Sequence, residues 1–159
     1  MSSTVLRGWL LLFGFALPAT RAASAQALYA GLGVGPTPVL GEGSGNRNWS
    51  GMVGYQARGA FGARLSGAET AERLWLSADL TYRLNLRERA LRPYALLGLG
   101  YVLDLNEGDA LFTAGIGLRA QLHRLVFLFS EVRLHAIVGS PEKSPSTILP
   151  ITLGLGVGR

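Results

Sequence analysis

The second half of the chain alternates apolar and polar positions with a period of two. From Leu74 to Leu84, one face carries Leu74, Leu76, Ala78, Leu80, Tyr82 and Leu84, and the other Trp75, Ser77, Asp79, Thr81 and Arg83. From Phe112 to Leu122, Phe112, Ala114, Ile116, Leu118, Ala120 and Leu122 oppose Thr113, Gly115, Gly117, Arg119 and Gln121. From Val126 to Ala136, Val126, Leu128, Ser130, Val132, Leu134 and Ala136 oppose Phe127, Phe129, Glu131, Arg133 and His135. From Leu149 onward, Leu149, Ile151, Leu153, Leu155 and Val157 alternate with Pro150, Thr152, Gly154, Gly156 and Gly158. Alternating segments of about ten residues separated by turn residues are the pattern of strands with one face to lipid and one to a lumen.

Four earlier segments follow the same rule with less contrast: Leu28–Gly35, Met52–Arg58, Phe61–Ser66 and Tyr94–Leu103. The last of these is apolar on both faces. The total is eight, an even number, which lets a single chain close on itself. Closure is required because hydrocarbon offers no partner to an open backbone edge. The expected fold is all-β: an eight-stranded antiparallel up-and-down transmembrane β-barrel.

The connections divide into two kinds. Short turns are expected near Arg58-Gly59 and His123-Arg124, on the same side as a basic stretch over 85–92. The opposite side has segments 36–48, 67–72, 104–109 and 139–146, richer in Gly, Pro, Ser and Asn. With the N-terminus periplasmic, these longer loops fall outside the cell.

Energy decides which face meets lipid. Arg64, Asp79, Arg83, Arg119, Glu131 and Arg133 share their faces with the glycines. Each Arg near the bilayer midplane on a lipid face would cost roughly 2–4 kcal/mol, so several together would cost on the order of 10 kcal/mol. The Leu-rich faces therefore point outward and the charged faces inward. A lumen of eight strands is filled by side chains, and glycines leave room there for Arg, Trp and Phe. Glu131 and Asp79 are expected to pair with some of Arg64, Arg83, Arg119 and Arg133, and His135 joins this interior charge network. Trp49, Tyr82 and Tyr101 are candidates for aromatic anchoring at the membrane interfaces.

The composition fits this picture. Of 159 residues, 48% are hydrophobic and only 16% charged, below the quarter usual for soluble proteins. There is no cysteine, hence no disulfide framework, thiolate metal site or cysteine nucleophile. Residues 1–25 read as a signal peptide: Arg7 in the basic region, Trp9–Leu17 as a short apolar core, then Pro18 and small residues at Ala23-Ser24-Ala25. Cleavage is expected after 25 or 27, leaving a barrel over 26–159. Cleavage after 25 removes Arg7 and Arg21, which lowers the formal net charge of +5 by two. The remainder is an ordinary balance with no basic stripe interleaved with aromatics, and it gives no case for nucleic acid.

No catalytic constellation stands out, and no cofactor site. Gly31-Leu32-Gly33-Val34-Gly35 runs into Pro36 and Pro38 rather than into the helix that a phosphate loop needs. Glu131 and His135 are roughly 13 Å apart on a strand, too far to share a metal. Ser130 and His135 fall on opposite faces, which argues against a Ser/His dyad.

Four stretches carry a family resemblance: Tyr29-Ala30-Gly31-Leu32-Gly33, residues 91–101 (LRPYALLGLGY), residues 114–119 (AGIGLR) and residues 149–155 (LPITLGL). Over about residues 26–159 the chain resembles the outer-membrane protein β-barrel-domain family, the small eight-stranded OmpA/OmpX-type barrels. The resemblance implies residence in outer-membrane lipid, insertion by the outer-membrane assembly machinery, and roles in envelope integrity, adhesion or surface contact, with segments 36–48 and 139–146 as the places for a surface ligand. One departure is the Gly158-Arg159 ending, where such barrels usually finish on an aromatic residue. Three functional readings follow: a non-enzymatic outer-membrane barrel with a side-chain-filled lumen, a narrow ion or small-solute channel, and a soluble periplasmic lipocalin-like ligand binder.

Overall fold

The computed structural model describes residues 27–39, 42–57, 59–70, 73–84, 91–103, 108–138 and 146–158. Residues 1–26, which hold the expected signal peptide, and Arg159 lie outside the described residues. Regular structure among the described residues is entirely β: β1 (Ala27–Val39), β2 (Glu42–Gln56), β3 (Phe61–Thr70), β4 (Arg73–Arg83), β5 (Leu91–Leu103), β6 (Gly108–Gln121), β7 (Val126–Val138), β8 (Ser146–Ile148) and β9 (Ile151–Gly158). β1 through β7 each pair antiparallel with the next, β7 also pairs with β9, and β1 pairs with β8 at Val39↔Ile148 and with β9 from Tyr29↔Gly158 to Val34↔Leu153. The sheet is therefore closed, with eight staves, the last made of β8 and β9.

The division of that last stave has a local cause. The sequence pattern ran one strand through Leu149 and Pro150, but both fall between β8 and β9. Proline has no N–H to donate to a ladder. The break is bridged from both neighbours: Leu149 N–H donates to Pro38 O at 3.0 Å, and Arg133 N–H donates to Pro150 O at 3.0 Å. Because Pro38 O faces the broken stave, the N–H that Pro36 and Pro38 lack would also have faced it. Two prolines are thus tolerated inside β1, where the ladder to β9 has already ended at Val34.

This corrects the expected loops. Segment 36–48 is mostly strand, with Pro36↔Arg47, Thr37↔Asn46 and Pro38↔Gly45 paired. Likewise Gly67 to Thr70 continue β3 against β4. Gly, Ser and Asn imitated a loop composition, but Asn48 Nδ2 donates to Thr37 Oγ1 at 2.7 Å and to Pro36 O at 3.3 Å. Those bonds tie β1 to β2 on the inward face beyond the apolar stretch. Segment 139–145 lies outside the described residues.

Alternation is as the energy argument requires. Leu65, Leu80, Leu97 and Ile116, on four successive staves, are each more than 60% exposed and point outward. Trp49, Phe61, Tyr82 and Tyr101 are also outward. Phe61 and Tyr82 pair at 5.0 Å near the end holding the chain termini, and Trp49 and Tyr101 stand toward the other end. Inside, Tyr29, Met52, Phe127 and Phe129 form one buried cluster, and Trp75, Val102, Leu111, Ile137 and Ile148 another.

Leu97→Arg places a charge in the middle of the outward apolar band. It is expected to lower stability by roughly 2–4 kcal/mol, read from urea unfolding of protein folded into lipid vesicles. A change near zero would mean that this face does not meet hydrocarbon.

Candidate functional site

Between the two apolar clusters lies a polar layer that spans the lumen. It begins with Arg64 on β3 and its cross-strand neighbour Asp79 on β4. Arg64 Nε and Nη2 both donate to Asp79 Oδ2 at 3.2 Å. The same guanidinium reaches Glu131 on β7: Nη2 donates to Oε2 at 3.3 Å, and Nη1 donates to Oε1. In a barrel of eight staves, β3 and β7 stand opposite one another, so this pair crosses the full width of the lumen. Arg133 closes the group, with Nε donating to Glu131 Oε2 at 2.8 Å and Nη1 lying 3.6 Å from Asp79 Oδ2. Two guanidiniums thus meet two carboxylates. The side chains of Arg64 and Asp79 have no solvent exposure, and such buried charges persist only when paired and hydrogen-bonded.

Three residues of this layer were not singled out by sequence reasoning. Ser66 Oγ donates to Asp79 Oδ2 at 2.9 Å. Met52 Sδ lies 3.3 Å from Arg64 Nη1. Tyr94 donates its phenolic hydrogen to Glu131 Oε1. Tyr94 lies on β5, two staves from Glu131, and the stave between presents Gly117, which pairs with both Tyr94 and Glu131. The Tyr94 ring lies across Gly117, where a Cβ would overlap it. The available signal was parity: Tyr94 shares its face with Gly98 and Gly100, and glycines mark the inward side.

Of the seven residues expected in one network, the structure brings together Arg64, Asp79, Glu131 and Arg133. Arg119 instead stacks its guanidinium on two rings, 4.2 Å from the Tyr29 centroid and 4.1 Å from that of Phe127. Arg83 lies at the rim, its Nη2 donating to Gly59 O at 3.0 Å. Arg83 lies four residues along β4 from Asp79, and Arg119 pairs with Phe129, two residues along β7 from Glu131 on the terminal side; neither forms an ion pair with a described carboxylate. His135 is inward and buried, packed on Trp75 at 5.3 Å between ring centres. Neither imidazole nitrogen has a hydrogen-bond partner among the described residues. Ser130 lies on the opposite, outward parity of β7, so the two cannot meet.

Small cavities flank the layer. One, of about 20 Å³, lies beyond it, lined by Asn48, Trp75, Arg133 and His135 among others. A second of about 20 Å³ lies on the terminal side, between Tyr94 and Arg119. Each exceeds what one water needs and is far below a pocket for a drug-sized organic ligand or a solute pathway.

No protein-family model and no curated protein matches the sequence. Solved structures do match in fold. The chain is similar to neisserial surface protein A, with a TM-score of 0.64 and 13% identity over 86% of this chain and 99% of that one. It is similar to the N-terminal β-barrel domain of Pseudomonas aeruginosa OprF, with a TM-score of 0.60 and 16% identity over 85% and 98%. A de novo designed transmembrane β-barrel matches with a TM-score of 0.61 and 12% identity over 88% and 100%. The fold is that of the small eight-stranded transmembrane barrels.

Substitutions at Glu131, Arg64, Gly117 and Tyr94 test the layer. Glu131→Gln leaves two guanidiniums to share Asp79 and is expected to cost roughly 3–5 kcal/mol. Arg64→Met combined with Glu131→Leu should cost clearly less than the two single changes added together; strict additivity in urea unfolding would deny the pairing. Gly117→Ala pushes the Tyr94 ring off Glu131 and should cost roughly 1–3 kcal/mol. In Tyr94→Ala protein the ring is gone, so the same Gly117 change should cost almost nothing.

Proposed function

We propose that the chain is a non-enzymatic protein of the Gram-negative outer membrane, a barrel with a side-chain-filled lumen that serves envelope structure or surface contact. It is exported behind a signal peptide over residues 1–25, with cleavage after 25 or 27, and inserted by the outer-membrane assembly machinery. The observation that carries this reading is the buried ion layer running from β3 to β7. A leucine-covered exterior around a charged, hydrogen-bonded interior suits a hydrocarbon solvent and leaves no continuous aqueous path. Surface contact falls to the end opposite the termini, where segments 36–48 and 139–146 lie in the chain order.

The lipocalin-like reading needs leucines inside and charges outside, and the side chains take the reverse arrangement. The channel reading has one observation in its favour, the two cavities on either side of the layer. An opening would require both carboxylates to release Arg64.

Envelope fractionation with a heat-modifiability gel shift tests placement and folding together. The protein should be found in the outer-membrane fraction and run at a different apparent mass when unheated. Recovery in a soluble fraction would overturn the reading. In planar bilayers the purified barrel should be silent, and steady unitary conductance would move the function to the channel.

A further inference from the structure

A second set of cations in the lumen is left without counter-charge by the ion layer. At the end holding Ala27 and Gly158, three successive staves each turn one arginine inward: Arg83 from β4, Arg92 from β5 and Arg119 from β6. All three line the cavity on the terminal side of the layer. Arg92 and Arg119 are direct cross-strand partners, and like charges placed so destabilise a strand pair. Arg83 is repelled by both. None of the three forms an ion pair with a described carboxylate, since Asp79 and Glu131 are taken by Arg64 and Arg133.

The cavity is built as well as charged. Arg119 is held between the Tyr29 and Phe127 rings, and Arg83 by the Gly59 carbonyl. Thr81, only 4% exposed, lines the same cavity, and its Oγ1 has no hydrogen-bond partner among the described residues. The same holds for Arg83 Nε and Arg119 Nε. Unpartnered donors and one hydroxyl therefore converge on a space of about 20 Å³ that no described acid lines.

We propose that this cavity is a phosphate-binding site. Guanidinium forks match the oxygens of phosphate in bidentate geometry. A doubly charged anion offsets three cations better than a carboxylate does, and a cavity of about 20 Å³ that is open at the rim admits the oxygens of such a group but no sugar or nucleotide. The group arrives either as the free ion or as a lipid headgroup at the membrane rim, and both present the same oxygens to Arg83, Arg92 and Arg119.

The test uses the full-length barrel folded in a phosphate-free alkyl glucoside detergent, with the temperature midpoint of the heat-modifiability shift as readout. One arm adds inorganic phosphate against sodium chloride at equal ionic strength. The other adds phosphatidic acid against phosphatidylcholine in mixed micelles. A saturable rise with inorganic phosphate assigns a free oxyanion, and a rise with phosphatidic acid alone assigns a headgroup. Arg92→Gln should fold at least as stably without phosphate, because it relieves repulsion, and should weaken the response roughly tenfold in concentration. Arg83→Gln gives the same comparison from another stave. No specific rise in either arm, or a rise that both variants retain in full, overturns the proposal.

Discussion

A backbone N–H or C=O facing hydrocarbon has no water to fall back on, and that constraint organises everything else here. It demands a closed ladder, which β1 supplies by pairing with both β2 and β9. It makes proline admissible only where a ladder is already interrupted, so Pro36 and Pro38 face the break at Pro150. It also reverses the usual sense of burial. Leucines stand outside, and the ionised groups take the interior, where they must satisfy one another.

The interior solution depends on reach. Eight staves leave a lumen narrow enough for one Arg side chain to touch the opposite wall, as Arg64 does with Glu131. Tyr94 arrives from a third direction because Gly117 removes the obstacle between them. The layer therefore joins β3, β4, β5 and β7 through side chains, in addition to the backbone hydrogen bonds that join neighbours only. Charge balance in this layer is complete, and that completeness is what leaves the arginines at the terminal end with an unopposed field.

How much was legible in the sequence varied with the physics of each segment. On β4, β6 and β7 the two faces differ in charge, and period-two reading placed the described side chains on the correct side. β5 is apolar on both faces, and only its glycines distinguish them. The ends of β1, β2 and β3 were misread because Gly, Ser, Asn and Pro describe a loop when taken alone. In the barrel they continue a ladder whose stability comes from the neighbouring stave. Among the charged residues, facing inward was readable, but height along the barrel was not. Arg64, Asp79, Glu131 and Arg133 share a level only through the stagger of β3, β4 and β7. Arg83 and Arg119 lie closer to the rim, and His135 lies on the other side of the layer. Similarity to a designed barrel at 12% identity shows how little of a sequence this fold requires; function has to be sought in particular side chains.

The central claim is that side-chain parity separates a lipid-facing surface from a packed lumen, even on a strand where composition does not reveal it. The chain has no cysteine, so single cysteines at positions 95 through 102 of β5 can each carry a nitroxide in vesicle-embedded protein. Collision with oxygen, which partitions into the bilayer, should be high at 95, 97, 99 and 101 and low at 96, 98, 100 and 102. A uniform profile, or one with the opposite parity, would contradict the account.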